Sequence, residues 1–233
     1  MKLTFGLAAA ALSLTAMAAN AEITGTVGAV SDYDFRGVSL SAKDPALQGS
    51  LDYAHDSGLY AGVWGSNIDY GDNVDGDVEV DLYVGFANQF NDDLGYDVGV
   101  VYYTYPGSDD IEDYPEFYAG LSYKWLEVKQ WYSNDNSGTD LDSWYTEANA
   151  SFDLVENLSL GLHAGYNYGD VFDDFEYLDY SVGLTYTLGH FDFGLKYVDN
   201  DMDDQIESDV FNSEGRAIFS ISTTFPWSAG EEE

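Results

Sequence analysis

Three histidines, no cysteine and 43 acidic residues bound the chemistry open to this 233-residue chain. Without cysteine there is no thiol nucleophile, no disulfide framework and no thiolate-held metal. His163 shares one face of an alternating segment with Ser159 and Asn167, the residue types of a Ser/His/Asn hydrolase. Four residues along a strand span about 13 Å, however, too far for that serine to reach the imidazole. His55 stands before the Asp56-Ser57 turn and His190 follows Gly189, so both are read as solvated. With no catalytic motif, the chain is not read as an enzyme.

The acids invite a calcium reading, which their spacing does not support. In 69–82, setting Gly76 at the sixth position of a calcium loop puts Gly71 first and Leu82 last, where carboxylates belong. The run from Asp199 to Asp209 lacks the central glycine. No metal site and no cofactor are expected. The loop acids are read as a solvated face, with weak divalent-cation binding as the alternative, for instance against lipopolysaccharide phosphates. Arg36 stands out as the one base among Asp32 and Asp34, suited both to a salt-bridge network and to shaping the field of a pore. Against only 7 bases, the acids leave a net charge of −36, which opposes binding to nucleic acid.

The elements that would position these residues begin after an export signal. Lys2, the apolar stretch Leu3 to Ala18, and Ala19-Asn20-Ala21 form the three regions of a signal peptide over residues 1–21, with cleavage near Ala21. Beyond it the chain alternates with period 2. In 78–87, Val78, Val80, Leu82, Val84 and Phe86 oppose Glu79, Asp81, Tyr83 and Gly85. The spacing predicts twelve strands: 23–37, 46–55, 58–68, 77–89, 94–105, 115–125, 127–133, 143–153, 157–168, 176–188, 190–198 and 215–225. Short joins such as Asp56-Ser57, Asn91-Asp92-Asp93 and Val155-Glu156 alternate with long segments such as 38–45, 69–76 and 199–214. That rhythm describes an all-β, transmembrane up-and-down antiparallel barrel over 22–225, with short periplasmic turns, longer acidic extracellular loops and an acidic tail at 226–233.

The strand acids Asp32, Asp34, Asp52, Glu79, Asp81, Asp97, Glu116, Glu127, Glu147, Asp179 and Asp192 all take the polar face, as do Arg36, Lys124, Lys129, Lys196 and Arg216. A basic side chain facing lipid at midplane costs about 2–4 kcal/mol, so a lipid-facing exterior enforces this sorting. A soluble β-sandwich would show the same alternation with its apolar face inward. Clusters such as Tyr102-Tyr103, Trp131-Tyr132 and Trp144 near strand ends favour interfacial girdles, and hence the membrane barrel.

Three blocks carry a family resemblance: Ser31-Asp32-Tyr33-x-Phe35-Arg36-Gly37-Val38-Ser39-x-Ser41, then Pro45-Ala46-Leu47-Gln48-Gly49-x-Leu51-Asp52-Tyr53, then Gly58-x-Tyr60-Ala61-Gly62-x-Trp64-Gly65-Ser66-Asn67. They resemble the TorF family of bacterial outer-membrane proteins, which implies an outer-membrane barrel and a porin-like role. The tail after Phe225 departs from barrels whose terminal aromatic closes the chain.

The functional expectation is a Gram-negative outer-membrane channel for small hydrophilic solutes, cation-preferring through Asp32, Asp34, Arg36, Asp52, Glu79, Asp81, Asp97, Glu116, Lys124, Glu147, Asp179 and Arg216 in the lumen. Its expected partners are outer-membrane lipid and lipopolysaccharide, the barrel assembly machinery and the solutes themselves. The rival is a non-conducting barrel whose acidic loops do structural or binding work. Twelve strands fall between the roughly 8 of a filled interior and the 16–18 of an open channel, so side-chain bulk decides between them.

Overall fold

The computed structural model of the protein describes residues 22–71, 74–202 and 214–227. The signal peptide, most of the acidic tail, and the loop acids Asp72, Asp203, Asp204, Glu207 and Asp209 lie outside the described residues. In chain order the strands are β1 (Glu22–Val30), β2 (Asp34–Phe35), β3 (Val38–Ser39), β4 (Ala46–Ala54), β5 (Leu59–Asn67), β6 (Val78–Asn91) and β7 (Leu94–Thr104). They continue with β8 (Tyr114–Tyr123), β9 (Leu126–Ser133), β10 (Ser143–Val155), β11 (Leu158–Tyr168), β12 (Tyr177–Leu188), β13 (Phe191–Asn200) and β14 (Arg216–Phe225).

Twelve of these close into one antiparallel barrel in sequence order, with β1 pairing both β4 and β14, while β2 and β3 form a separate two-stranded hairpin. Closure leaves the barrel no free edge, so every strand finds its backbone partners on both sides.

The two faces of the wall differ in the sense that the alternation alone left open. On β6, Leu82 is 51% exposed on the outside, whereas its neighbour Asp81 is 6% exposed on the inside. Val27, Leu51, Val182, Leu195 and Phe219 likewise point outward, while Asp97, Glu116, Lys129 and Asp179 are buried within. An apolar exterior around a polar interior is the inverse of a soluble barrel and suits a wall set in lipid. Aromatic girdles mark both ends. Tyr132, Trp144 and Tyr168 stack at the long-loop end, and Trp125 meets Phe152 at the short-turn end with ring centroids 5.3 Å apart. Trp227 joins the lower girdle, stacked on Phe225 and on His190, so His190 is an exposed but ring-packed residue.

A swap across this wall has a signed outcome. Val182→Lys, on the outer face, is expected to destabilise the barrel by about 2–4 kcal/mol near midplane, whereas Ser181→Lys, on the inner face, costs less. Urea unfolding in lipid vesicles measures the difference, and the reverse order would mean the faces are misassigned.

Several sequence expectations need correction. The first strand ends at Val30 rather than at residue 37, so Asp32, Asp34 and Arg36 are not on it. Lys124 is not a lumen residue: β8 ends at Tyr123, and Lys124 sits in the following turn at φ 56°, pairing with Asp93 at 3.5 Å in solvent. The turn takes it because the ladder between β8 and β9 stops at Tyr123 opposite Leu126. β6, β10 and β13 each run two residues further than expected, to Asn91, Val155 and Asn200. The extension of β13 places Asp199 on the outer parity, at the rim where a carboxylate stays hydrated.

Candidate functional site

The segment after β1 turns into the barrel. Asp34 pairs with Ser39 and Phe35 with Val38, leaving Arg36 and Gly37 as a two-residue turn with φ of 52° and 82°. Positive φ at both positions is the tight hairpin turn whose twist matches its strands, and it favours glycine. Gly37 is needed for a second reason. A Cβ there would stand 2.7 Å from Cβ of Asp179 and 3.2 Å from Cβ of Asn200, so only bare backbone lets the tip press against β12 and β13. Asn200 Nδ2 and an Arg216 Nη1 then donate to the Gly37 carbonyl at 2.9 and 3.0 Å.

The hairpin is anchored on both sides of the lumen. Arg36 donates two parallel hydrogen bonds to Glu116 on β8, at 2.9 and 2.6 Å, and Glu116 also accepts from the Tyr103 hydroxyl at 3.0 Å. The guanidinium lies over the rings of Tyr145 and Phe35, 4.3 and 4.7 Å from their centroids. Burial works against its charge, but Glu116 holds the Arg36 guanidinium well above its ordinary value. On the other side Arg216 of β14 spans Asp32 and Asp34, and Lys196 of β13 reaches Asp34 at 2.7 Å. Ser39 and Ser41 complete the shell of Asp32 through their hydroxyls. A bidentate, charge-assisted pair of this kind fixes geometry as well as adding stability.

Below the hairpin the wall from β5 to β9 is filled by rings. The Tyr60 ring lies over Gly85 of the next strand, where any Cβ would collide with it. Tyr60 bonds the hydroxyl of Tyr118 and donates to Asp97 at 2.6 Å, and Lys129 meets the same carboxylate at 3.3 Å. Tyr83 bonds Asp52. Trp131 Nε1 donates to Glu147 at 2.7 Å.

The opposite wall is lined by small residues, and burial changes along it. On β11 to β13, Asn167, Asp179 and Asn200 are buried at the long-loop end, while Ser159, His163, Ser181, Thr185 and Lys196 toward the short-turn end are partly accessible. The short-turn half of the lumen is therefore a partly accessible vestibule, and the hairpin with the ring cluster of Tyr33, Tyr103, Tyr114 and Tyr145 fills the long-loop half.

Of the sequence-predicted residues, the hairpin thus unites Asp32, Asp34, Arg36, Glu116, Asp179 and Arg216. Asp52, Asp97 and Glu147 stand lower on the wall, Glu79 and Asp81 occupy a sealed corner of β6, and Lys124 is outside. His163 is held by Asp179 at 2.8 Å, Asn149 at 2.7 Å and Tyr145 at 2.9 Å, not by Ser159. Gly37, Asn200 and Tyr145 were not anticipated as functional. The available signal was the Phe-Arg-Gly-Val run, whose glycine interrupts an otherwise plausible strand.

No curated protein sequence matches the chain. Solved structures share its architecture at low identity. The NanC porin superposes with a TM-score of 0.58 at 12% identity, covering 88% of this chain and 100% of its own. The KdgM porin gives 0.54 at 8% identity, covering 88% and 99%, and its complex with disordered oligogalacturonate gives 0.55 at 8%, covering 88% and 100%. These likenesses show a common twelve-strand barrel fold. The family that includes most of the chain is defined by sequence: residues 15–225 match its model, and the protein belongs to the Gcw_chp family of bacterial proteins of unknown function.

Proposed function

We propose that the protein is an outer-membrane channel for small hydrophilic solutes, selective for cations over anions and throttled by the inward hairpin. The observation that carries this reading is the closed barrel with an apolar exterior and an acidic interior. Eleven acids, from Asp32 to Asp192, share that interior with the four bases Arg36, Lys129, Lys196 and Arg216, and each base is already within 4.0 Å of a carboxylate. The surplus charge concentrates cations and repels anions. KdgM has been solved with oligogalacturonate, a polyanion; the acid surplus here argues against that class of solute for this chain.

The likeness of residues 31–67 to the TorF family supports the same placement, as does the signal peptide, with cleavage near Ala21 delivering the barrel to its assembly machinery and to lipopolysaccharide. The mature chain, folded in detergent and recorded in planar bilayers under a KCl gradient, is expected to give discrete steps reversing toward the potassium potential.

A second reading draws on the sealed long-loop half: a non-conducting barrel that works through its loops. It would replace the first if the folded protein stayed silent even with the hairpin removed.

A further inference from the structure

We propose that Glu79 and Asp81 form an intrabarrel site for one hard divalent cation. The site is independent of whether the lumen conducts, and it is separate from weak binding at the loops. Both carboxylates stand on the inner face of β6, 1% and 6% exposed. Glu79 Oε2 and Asp81 Oδ1 are buried without a hydrogen-bond partner. The carboxylate otherwise accepts a long bond, 3.4 Å, from the Tyr105 hydroxyl and one from the Tyr33 hydroxyl.

Among the described residues no base pairs with either carboxylate. Arg36 is committed to both oxygens of Glu116, Lys129 to Asp97, and Lys196 and Arg216 to the hairpin acids. Two neighbouring buried carboxylates with bare oxygens need either a proton or a cation to offset their charge, since an unpaired buried ion is among the costliest groups a protein can hold.

The local chemistry selects the ligand. Two carboxylates match a charge of +2, and the phenols of Tyr33, Tyr70 and Tyr105 and the Ser66 hydroxyl opposite Glu79 offer further oxygens, while Trp64 and Tyr103 stand opposite Asp81 and Glu116 is near it. Burial and the two acids push the Tyr33 and Tyr70 phenols well above their usual range, so these stay neutral, and neither supplies nor cancels charge. No described group of three or more His, Cys, Asp and Glu is placed to hold a metal, so the ion keeps water or phenol oxygen in the rest of its shell. Partial hydration with one or two carboxylates is the habit of hard divalent ions such as magnesium, and calcium accepts the same donors. Tyr105, which faces the pair, also lines a cavity of about 660 Å³ formed by residues 104–108 and 111–113 of the loop after β7.

Terbium, a luminescent calcium mimic excited through nearby tyrosines, tests the site in the folded mature barrel after chelator treatment. A saturable emission displaced by calcium, lost in E79Q/D81N and kept in the loop variant D173N/D174N, is the expected result. Emission that persists in E79Q/D81N, or that disappears in D173N/D174N, would overturn the proposal. Infrared spectra of the metal-free and calcium-loaded parent decide the matter without any variant. A carboxylate band that shifts with calcium supports the site, whereas a protonated-carboxyl band unchanged by calcium would show that protons neutralise the pair and no cation binds.

Discussion

Excising the hairpin, by joining Asp32 to Ser41 through a short Gly-Ser link, is expected to turn a narrow conductance into a wide one. The ring cluster and the hairpin seal the long-loop half together, and the hairpin supplies Tyr33, Val38 and Leu40 to that seal. A finer cut isolates its latch. Arg36→Gln leaves Glu116 buried at 1% exposure without its partner, and breaking such a pair from one side costs about 3–5 kcal/mol. At 1.4 kcal/mol per factor of ten, the equilibrium between docked and undocked hairpin shifts by about two orders of magnitude or more. Arg36→Gln channels should then open more often, while the double variant R36Q/E116Q, with no stranded charge, lies nearer the parent. Single-channel recordings give both open probability and step size. Equal steps from the parent and the excised chain would show that the hairpin does not limit flow.

The second large effect concerns selectivity. The structure separates the acids that solutes meet from those that are sealed. Asp52, Glu147 and Asp192 are partly accessible in the vestibule, with Ser50, Trp131 and Thr187 among their hydrogen-bond partners. Each carboxylate is worth about 0.5 kcal/mol to a cation ~8 Å away in water-like surroundings. Removing all three in D52N/E147Q/D192N should therefore lower cation entry by about tenfold and raise anion entry by about as much at low salt, a change of about a hundredfold in the permeability ratio. Because the Debye length falls to about 3 Å in 1 M salt, the parent's selectivity should itself decline as KCl is raised. The reversal potential at 10 mM and 1 M, as chosen conditions spanning roughly 30 to 3 Å of screening, reads both effects. A triple variant as selective as the parent would move the origin of selectivity to the loops.

What the sequence determined by itself is local. Period-2 alternation sets which side chains share a face whatever the strand pairs with, so the wall could be read from runs such as 78–87 and 178–188. The alternation of short and long joins then fixed strand order, because antiparallel neighbours need only a short turn. The sense of the faces rested on composition at the strand ends, and the girdles at Trp144 and Trp125 bear that inference out.

The interior was decided only in three dimensions. Residues 31–37 continue the alternation as the ninth to fifteenth residues of the predicted strand 23–37, and beyond the glycine of the Phe-Arg-Gly-Val run nothing nearby in sequence marks a hairpin folded inward. The partners that decide are distant: Arg36 meets Glu116 80 residues on, and Asp34 meets Arg216 182 residues on. The same contacts sort the acids. Asp97 and Asp81 both alternate inward, yet closure of the barrel brings Lys129 to one and, among the described residues, no base to the other. Parity tells which charges enter a lumen, but only the folded wall settles which of them are neutralised there, because pairing depends on the strand across the barrel and not on the residue next in the chain.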